Sequence, residues 1–252
     1  MKLKRLFIYL FLVSIAFGSC GVKTYKSDSK PITHEIWNTL TKSHVSESGE
    51  VNYKGFQQDS VTLNKYLTLL KQNHPNKRTW TEDEQLAYWI NAYNAFTVKL
   101  VMDNYPTKSI KDIKSGVPFL NSVWDIKFIK IENATYDLNN IEHGIVRKQF
   151  DDPRIHTALN CASISCPKLR NEAFTPERLE EQLEDQTKYF VNNPVKNKIT
   201  SDQIQLSKIM KWYKGDFTKK GSLIDFLNKY SEVKISADAK ISHLDYDWNL
   251  NE

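Results

Sequence analysis

The sequence predicts an α+β fold, a predominantly helical single globular domain with a small sheet that we expect to be antiparallel. Several long segments space their apolar residues as an amphipathic helix does, whereas strictly alternating segments are few and short. With 12% aromatic residues and only 8 glycines and 8 prolines, the chain has the composition of a compact protein. No internal repeat or low-complexity linker follows residue 30, so we place one domain at residues 31–252.

The first twenty residues are typical of a lipoprotein signal. Three basic residues precede the apolar run LFIYLFLVSIAF, which is too short for a membrane span. Small residues then lead into Cys20, in a pattern similar to the bacterial lipobox, whose cysteine is acylated. We therefore expect a signal peptide at residues 1–19, followed at 20–30 by the acylated Cys20 and a flexible polar tether. Ordinary signal cleavage that leaves a free cysteine is the alternative.

The formal net charge of the chain limits the binding partners that we expect. The signal carries three basic residues and no acidic one, so its removal lowers the formal net charge from +5 to +2. A nearly balanced, exported chain is not expected to bind nucleic acid. We expect the partners to be a membrane, reached through the N-terminal lipid, and an unknown ligand or envelope protein. No acidic run follows Cys20 to indicate surface display, so the expected location is the bacterial cell envelope, facing the periplasm.

Three helices are predicted in the first part of the body. The segments 31–45 and 59–71 have helical apolar spacing, and a capping box from Thr81 to Glu84 begins a third helix that ends before Pro106. Apolar residues cover nearly the whole circumference of this third helix, so we expect it to run through the centre of the domain.

Two amides, Asn91 and Asn94, lie on one strip of this central helix. A buried amide without partners costs about 1 to 3 kcal/mol. The two side chains must therefore bind the backbone of a crossing segment or line a polar cavity.

A strand and a helix are predicted next. Residues 124–131 alternate as a half-buried strand, and a helix follows from Asp137 to about Gln149. Glu142 falls in the middle of the apolar arc of this helix, where a carboxylate needs either a cation partner or a functional role. His143 and Arg147 share the other side.

The rest of the chain mixes short elements. Residues 153–160 have the apolar character of a short buried strand that leads into the cysteine loop. Further on we expect a helix begun by Thr175 and Pro176, a hairpin at 198–207, a helical segment at 208–217, a helix from Ser222 and a docked C-terminal segment.

The motifs LAYWINAYNAFTV, LNNIEHGIVR, DPRIHTALNCASISCPKLRNEAFTPERLEEQL and LDYDWNLN occur in this order between about residues 84 and 250. This series resembles the family called domain of unknown function 547, in which no reaction is established. The resemblance implies where a site would lie and not what it does. It marks Trp89, Asn91, Tyr93, Asn94, Glu142, His143, Arg147, Arg154, His156, Cys161, Cys166, Pro167, Tyr246, Asp247 and Trp248.

Cys161 and Cys166 allow four interpretations. Export would permit a disulfide, although its small loop would stabilise the fold only modestly. A metal site is not expected, because with His156 the pair supplies three ligands at most and its spacing is unusual for zinc. Cys161 could instead be a nucleophile with His143 or His156 as its base, oriented by Glu142 or by a central-helix amide. Plain packing of two small buried residues is the fourth interpretation.

These observations leave three hypotheses for function. The first is an envelope lipoprotein whose polar cleft binds a small or peptide-like ligand, with no cofactor or metal. The cleft candidates are Asn91, Asn94, Arg147, Arg154, His156 and Cys166, the arginines suiting an anionic or carbonyl-containing ligand. The second is a cysteine-dependent hydrolase or acyltransferase with Cys161 as nucleophile, His143 as base and Glu142 nearby. The third is a non-catalytic scaffold protein of the envelope.

Overall fold

The computed structural model describes residues 27–113 and 122–252. The predicted signal peptide, Cys20 and most of the predicted tether lie outside these residues. The end of that tether already contacts the body, since Ser27 Oγ donates a 2.8 Å hydrogen bond to Glu132 and Ser29 Oγ a 2.5 Å bond to the carbonyl of His74. The folded body therefore includes residues from Ser27 onward, four positions before the predicted boundary.

The first part of the fold is a helical layer around a buried central helix. The central helix begins at the predicted capping box, where Thr81 and Glu84 satisfy each other's backbone N–H groups, and it ends before the cis Tyr105–Pro106 bond. It is buried along most of its length, as its apolar circumference predicts. The helices of this layer are α1 (Glu35–His44), α2 (Tyr53–Gln58), α3 (Ser60–Gln72) and α4 (Glu82–Asp103).

The helix predicted after Asp137 is present, but it is not a regular α-helix. Asp137 Oδ1 accepts a 2.6 Å hydrogen bond from the backbone N–H of Asn140, as expected of an N-cap. From Asn140 to Val146 the turns are those of a π-helix, and α5 (Arg147–Gln149) completes the segment. A π-helix is rare and often occurs at a functional site. It is the element that carries Glu142 and His143.

Two strand predictions need correction. The segment 124–131 supplies only β1 (Ile129–Ile131), which pairs in antiparallel register with β2 (Ala134–Tyr136), while Val123–Asp125 is a 3₁₀ turn. Residues 153–160, predicted as a strand, contain the short helix α6 (Ile155–Ala158). The periodicity of so short an apolar run does not separate a strand from one helical turn.

The second part of the chain follows the predicted order. A 3₁₀ turn with Pro176 in its first position precedes α7 (Leu179–Asn192), and the predicted hairpin forms from β3 (Lys198–Ile199) and β4 (Gln203–Leu206). The strand β5 (Lys240–His243) pairs with β4 in parallel, so the sheet is not antiparallel throughout as expected. The remaining helices are α8 (Lys208–Trp212), α9 (Lys214–Phe217) and α10 (Leu223–Tyr230).

Two apolar clusters form the core. The larger one surrounds α4, and the smaller one is built from the end of α7, β4 and α8–α10. The segment after β5 returns to the larger cluster, where Leu250 is buried and its N–H donates to the carbonyl of Lys108. Within the described ranges, no helix has the length and apolar character needed to cross a bilayer.

Candidate functional site

A cavity of about 280 Å³ opens where the two apolar clusters meet. Its walls combine ionisable and thiol groups with a large aromatic surface. The former are Glu142, His143, His156, Cys161 and Cys166, and the aromatic side chains are Tyr93, Trp124, Trp212, Tyr213, Tyr246 and Trp248. The π-helix, α6, the cysteine loop, α8 and the C-terminal segment thus contribute to a single site.

The two cysteines of the loop are free thiols in close contact. Their sulfur atoms are 2.8 Å apart and hydrogen-bonded, which is longer than the ~2.05 Å covalent bond of a disulfide. The backbone N–H of Cys161 also donates a 2.8 Å hydrogen bond to the sulfur of Cys166. Cys161 is partly exposed whereas Cys166 is buried, so the cavity gives easier access to Cys161.

The surroundings of the two sulfurs distinguish them chemically. Cys161 Sγ lies 3.2 Å from the hydroxyl of Tyr246 and 3.5 Å from that of Ser163. Burial raises the pKa of the Cys161 thiol, but hydrogen bonds with Cys166, Ser163 and Tyr246 outweigh burial and bring that pKa below its ordinary value. Burial, with the neighbouring Cys161, raises the pKa of Cys166 well above its ordinary value. Cys161 therefore ionises first, and the Cys166 thiol can then donate to it.

The backbone beside Cys161 is in an unusual conformation. Ala162 has φ 59°, in the left-handed region that a residue with a Cβ rarely adopts, and such a residue costs about 1 to 3 kcal/mol. The Asn160 side chain holds this turn: its Oδ1 accepts from the N–H of Ala162 at 3.0 Å, and its Nδ2 donates to the carbonyl of Pro167 at 2.7 Å. Strain of this kind is concentrated at functional sites.

Glu142 is buried, as its place on the apolar arc predicts, and its hydrogen-bond partner is a tyrosine. The hydroxyl of Tyr213 donates a 2.5 Å hydrogen bond to Glu142 Oε1. Burial and the neighbouring carboxylate raise the pKa of Tyr213 far above its ordinary value, so this hydroxyl stays protonated. The pair places one carboxylate and one phenol in the cavity wall.

His156 is held in a defined orientation against the same wall. Its Nε2 lies 2.7 Å from Asp216 Oδ2, and its ring stacks on that of Tyr213 with centroids 3.8 Å apart. Burial lowers the pKa of His156 to about 4, so the ring is neutral at pH 7. Since Nε2 carries the proton donated to Asp216, Nδ1 is a bare acceptor, and it has no hydrogen-bond partner among the described residues.

His143, the predicted base, lines the cavity with Cys161 but is not hydrogen-bonded to it. Its Nδ1 accepts a 3.1 Å hydrogen bond from Arg147 Nη1. The side-chain partners of the Cys161 sulfur, within the part of the chain that the structure describes, are Cys166, Ser163 and Tyr246.

The two central-helix amides, named as cleft candidates, do not line the cavity; the structure shows the other alternative, hydrogen bonding to a crossing backbone. Asn91 exchanges two hydrogen bonds with the backbone of Phe174, at 2.7 and 3.0 Å. Asn94 donates to the carbonyl of Ala158 at 3.0 Å and accepts from the N–H of Asn160 at 2.8 Å. Both therefore bind the backbone of crossing segments, and Asn94 fixes the position from which the cysteine loop begins.

The two predicted cleft arginines also lie outside the cavity wall. Arg154 forms hydrogen-bonded ion pairs with Asp152 and Glu180, all between 2.7 and 3.1 Å. Arg147 donates from Nε to Asp216 Oδ2 at 2.7 Å. Each arginine is thus paired with a carboxylate, and neither lies in the wall of the cavity that contains the cysteines.

Sequence reasoning missed several residues of the site. Trp212, Tyr213 and Asp216 fall in a segment that was interpreted only as helical, and Trp124 falls in the segment predicted as a strand. The adjacent Trp212 and Tyr213 were the available signal in the sequence. Their significance depends on the structure, where Trp212 is 47% exposed, because large aromatic side chains at a surface often mark a binding site.

Comparison with known proteins gives one match. Residues 77–191 match the sequence model of a family described as "Protein of unknown function, DUF547", which covers the motifs of the central helix, the π-helix and the cysteine loop. The closing motif with Tyr246 and Trp248 lies beyond the matched residues. No curated protein and no solved structure matches the chain. Among the described residues, no group of three or more His, Cys, Asp or Glu side chains could hold a metal ion.

Proposed function

Since the chain belongs to the DUF547 family, whose description assigns no activity, we propose its function from the cavity: a cysteine-dependent enzyme that transfers or hydrolyses an acyl group. Cys161 is the nucleophile. The observation that carries the proposal is the set of three hydrogen-bonding groups around its sulfur, on Cys166, Ser163 and Tyr246. Hydrogen bonds of this kind favour the thiolate, so Cys161 can act as a nucleophile without a histidine in direct contact.

The proposed reaction begins when the Cys161 thiolate attacks the carbonyl carbon of a substrate in the cavity. The C–S bond forms, and the bond between the carbonyl carbon and the leaving group breaks. The leaving group takes a proton from water, and the acyl group remains on Cys161 as a thioester. Water or another acceptor then attacks the thioester and restores the thiolate. When water attacks, the acyl group leaves as a carboxylic acid, whose proton passes to the solvent.

The cavity walls indicate the class of substrate. The described wall residues include no lysine or arginine, and Glu142 is their one carboxylate. Aromatic side chains form much of the surface and bind apolar or planar groups well. We therefore expect a neutral or cationic acyl compound with an apolar part, in place of the anionic ligand that the arginines suggested.

Two irregular backbone features support a functional role for this cavity. The π-helix places Glu142 and His143 on one side, and the left-handed Ala162 follows Cys161 on the other. Both conformations are less stable than the regular alternatives, so the fold must stabilise them through other contacts. Their convergence on a single cavity favours a site over ordinary packing.

The test is acylation by p-nitrophenyl acetate under reducing conditions, with Cys20→Ser in every variant so that the pair are the remaining thiols. We expect rapid release of p-nitrophenol, one acetyl group on Cys161 by peptide mass analysis, and continued turnover. Cys161→Ala should abolish all three, whereas Cys166→Ser should retain acetylation. The same protein unfolded in urea gives the acetylation rate of an ordinary cysteine thiol. If the folded protein is acetylated no faster than this control, the proposal is wrong.

We further propose that the protein is a lipoprotein of the bacterial cell envelope, anchored through Cys20 and facing the periplasm. The basic start, the apolar run and the lipobox-like residues before Cys20 support this location. Expression in a bacterial host should yield a membrane-bound protein whose mature N-terminal peptide carries acyl chains. Cys20→Ser should remove the acyl chains and release the protein from the membrane fraction.

A further inference from the structure

The relative position of the two sulfurs suggests a second chemistry at this site. They are 2.8 Å apart, so an approach of about 0.8 Å brings them to disulfide bonding distance. The N–H of Cys161 fixes the sulfur of Cys166 from one side, and Asn160 fixes the two ends of the loop. Bond formation therefore requires only a small local movement.

We propose that Cys161 and Cys166 form a reversible dithiol–disulfide couple that exchanges with small disulfides entering the cavity. Cys161 is the attacking thiol, because it is partly exposed and has the two hydroxyl partners. Cys166 is the resolving thiol, because it is buried and its sulfur lies 2.8 Å from that of Cys161.

The exchange proceeds in two balanced steps. The Cys161 thiolate attacks one sulfur of a small disulfide, RSSR, so that a mixed disulfide forms and one thiolate, RS⁻, departs. This thiolate takes the proton of Cys166, whose sulfur then attacks the sulfur of Cys161. The mixed disulfide breaks, and the second RS⁻ leaves and takes a proton from water. Cys161 released one proton to water when it first ionised, so no net proton is consumed. Overall, RSSR is reduced to two RSH and the two protein thiols are oxidised to one disulfide.

The contacts of the loop argue for a reactive couple over a structural staple. Asn94 holds its beginning, Asn160 spans its turn, and Gln186 Nε2 donates to the carbonyl of Lys168 at 2.7 Å beyond its end. The dithiol form is thus already ordered, and closure of so short a loop adds little conformational restriction to the unfolded chain. Fixed geometry in the reduced form lets the pair exchange without refolding the loop.

Oxidation would also control the proposed acyl transfer, a consequence that rests on the proposed function. In the disulfide the Cys161 sulfur has no thiolate to attack a carbonyl. The reduced protein would be active and the oxidised protein inactive, and a small thiol in excess would restore activity.

The experiment uses the full chain with Cys20→Ser and oxidised glutathione as the probe, followed by intact mass and peptide mapping. We expect the reduced protein to lose two hydrogen atoms and to carry no stable adduct. Cys166→Ser, which lacks the resolving thiol, should keep one glutathione on Cys161. Cys161→Ser should react about tenfold more slowly, because Cys166 is buried and its thiol is less ionised.

Three results would overturn the proposal: a wild-type pair that stays reduced in excess oxidised glutathione, a stable wild-type adduct, or equal adduct rates in the two variants. Circular dichroism of each variant checks that it is folded, and Cys166→Ala provides a second variant should the serine perturb the core. Acetylation of the reduced wild type by p-nitrophenyl acetate is measured separately. If the pair exchanges with glutathione but is not acetylated, the acyl-transfer proposal fails and the redox couple stands. If the pair is acetylated but does not exchange, the redox couple fails and the acyl-transfer proposal stands.

Discussion

Asp216 accepts a 2.7 Å hydrogen bond from Nε2 of His156, across 60 residues of sequence, and so fixes which nitrogen of the ring carries the proton. The carboxylate also accepts from Nε of Arg147, which keeps it ionised between two donors. The result is a neutral imidazole whose Nδ1 is buried and has no hydrogen-bond partner among the described residues.

Acidification should destabilise the protein through buried histidines. Burial lowers the pKa of both His34 and His156 to about 4, below the ~6.5 of an unfolded histidine. Between these values the unfolded chain binds protons that the folded protein does not, so stability falls as the pH drops through this window. From pH 7 to pH 5 we expect each histidine to reduce the free energy of unfolding by about 2 kcal/mol.

Urea unfolding of wild type and His34→Gln at pH 7 and pH 5 measures this contribution. The variant loses the 2.7 Å contact of His34 with Tyr66 and will be less stable at both pH values, so the quantity to compare is the change with pH. That change should be smaller in the variant by about 2 kcal/mol. An equal pH dependence in the two proteins would show that His34 titrates normally when folded.

Removing the tyrosine hydroxyl beside Cys161 should make the thiol less reactive. Tyr246→Phe deletes a hydrogen-bonding group 3.2 Å from the sulfur, and a hydrogen bond to a charged group is worth about 1.5 to 3 kcal/mol. We expect the pKa of Cys161 to rise and iodoacetamide labelling at pH 7 to slow about tenfold.

Tyr213→Phe is the matched control for this measurement. Tyr213 lines the same cavity, but its hydroxyl donates to Glu142 and not to the sulfur. Labelling of Cys161 should then keep nearly its wild-type pH dependence. Similar slowing in both variants would mean that the effect reports cavity packing and not stabilisation of the thiolate.

Asn91→Ala should destabilise the fold without changing the thiol. The substitution leaves the N–H and the carbonyl of Phe174 without partners at a buried position, with an expected cost of about 3 kcal/mol. Asn64→Ala, at an exposed position of α3, should stay within about 0.5 kcal/mol of wild type. Denaturant unfolding gives both values, and a loss in Cys161 labelling at unchanged stability would instead place Asn91 in the site.

Gly144→Ala tests the π-helix. A Cβ at this position would meet no atom within 4 Å, and alanine restricts the unfolded chain more than glycine. We expect a gain of about 0.5 to 1 kcal/mol in unfolding free energy, with a similar gain for the equally open Gly215→Ala. A loss confined to Gly144→Ala would show that the π-helix uses a backbone conformation that alanine tolerates poorly.

Local patterns predicted the parts of the fold that depend on neighbouring residues. The capping box of Thr81 and Glu84 and the apolar circumference of α4 needed no knowledge of distant segments, and both are confirmed. The burial of Asn91 and Glu142 followed from the same periodicity. The family assignment is likewise confirmed for residues 77–191.

Local sequence patterns could not identify the hydrogen-bond and strand partners that lie far away in the sequence. The sequence left Asn91 between a cleft and the backbone of a crossing segment, because its partner, the backbone of Phe174, is 83 residues away. Arg147 was predicted to line the cleft for the same reason, since its partner Asp216 is 69 residues away in the sequence. A parallel β4–β5 pair is also undetectable from local alternation, because alternation is the same in both strand directions.

The docking of the C-terminal segment has a consequence for the order in which the site is completed during synthesis. Tyr246 follows Cys161 by 85 residues, so a growing chain contains the thiol long before the hydroxyl that hydrogen-bonds to it. Until Tyr246 and Trp248 of that segment pack against Trp212, part of the aromatic wall is also missing. A nascent or truncated chain should therefore carry a cysteine of nearly ordinary reactivity, which limits unwanted thiol chemistry before folding is finished.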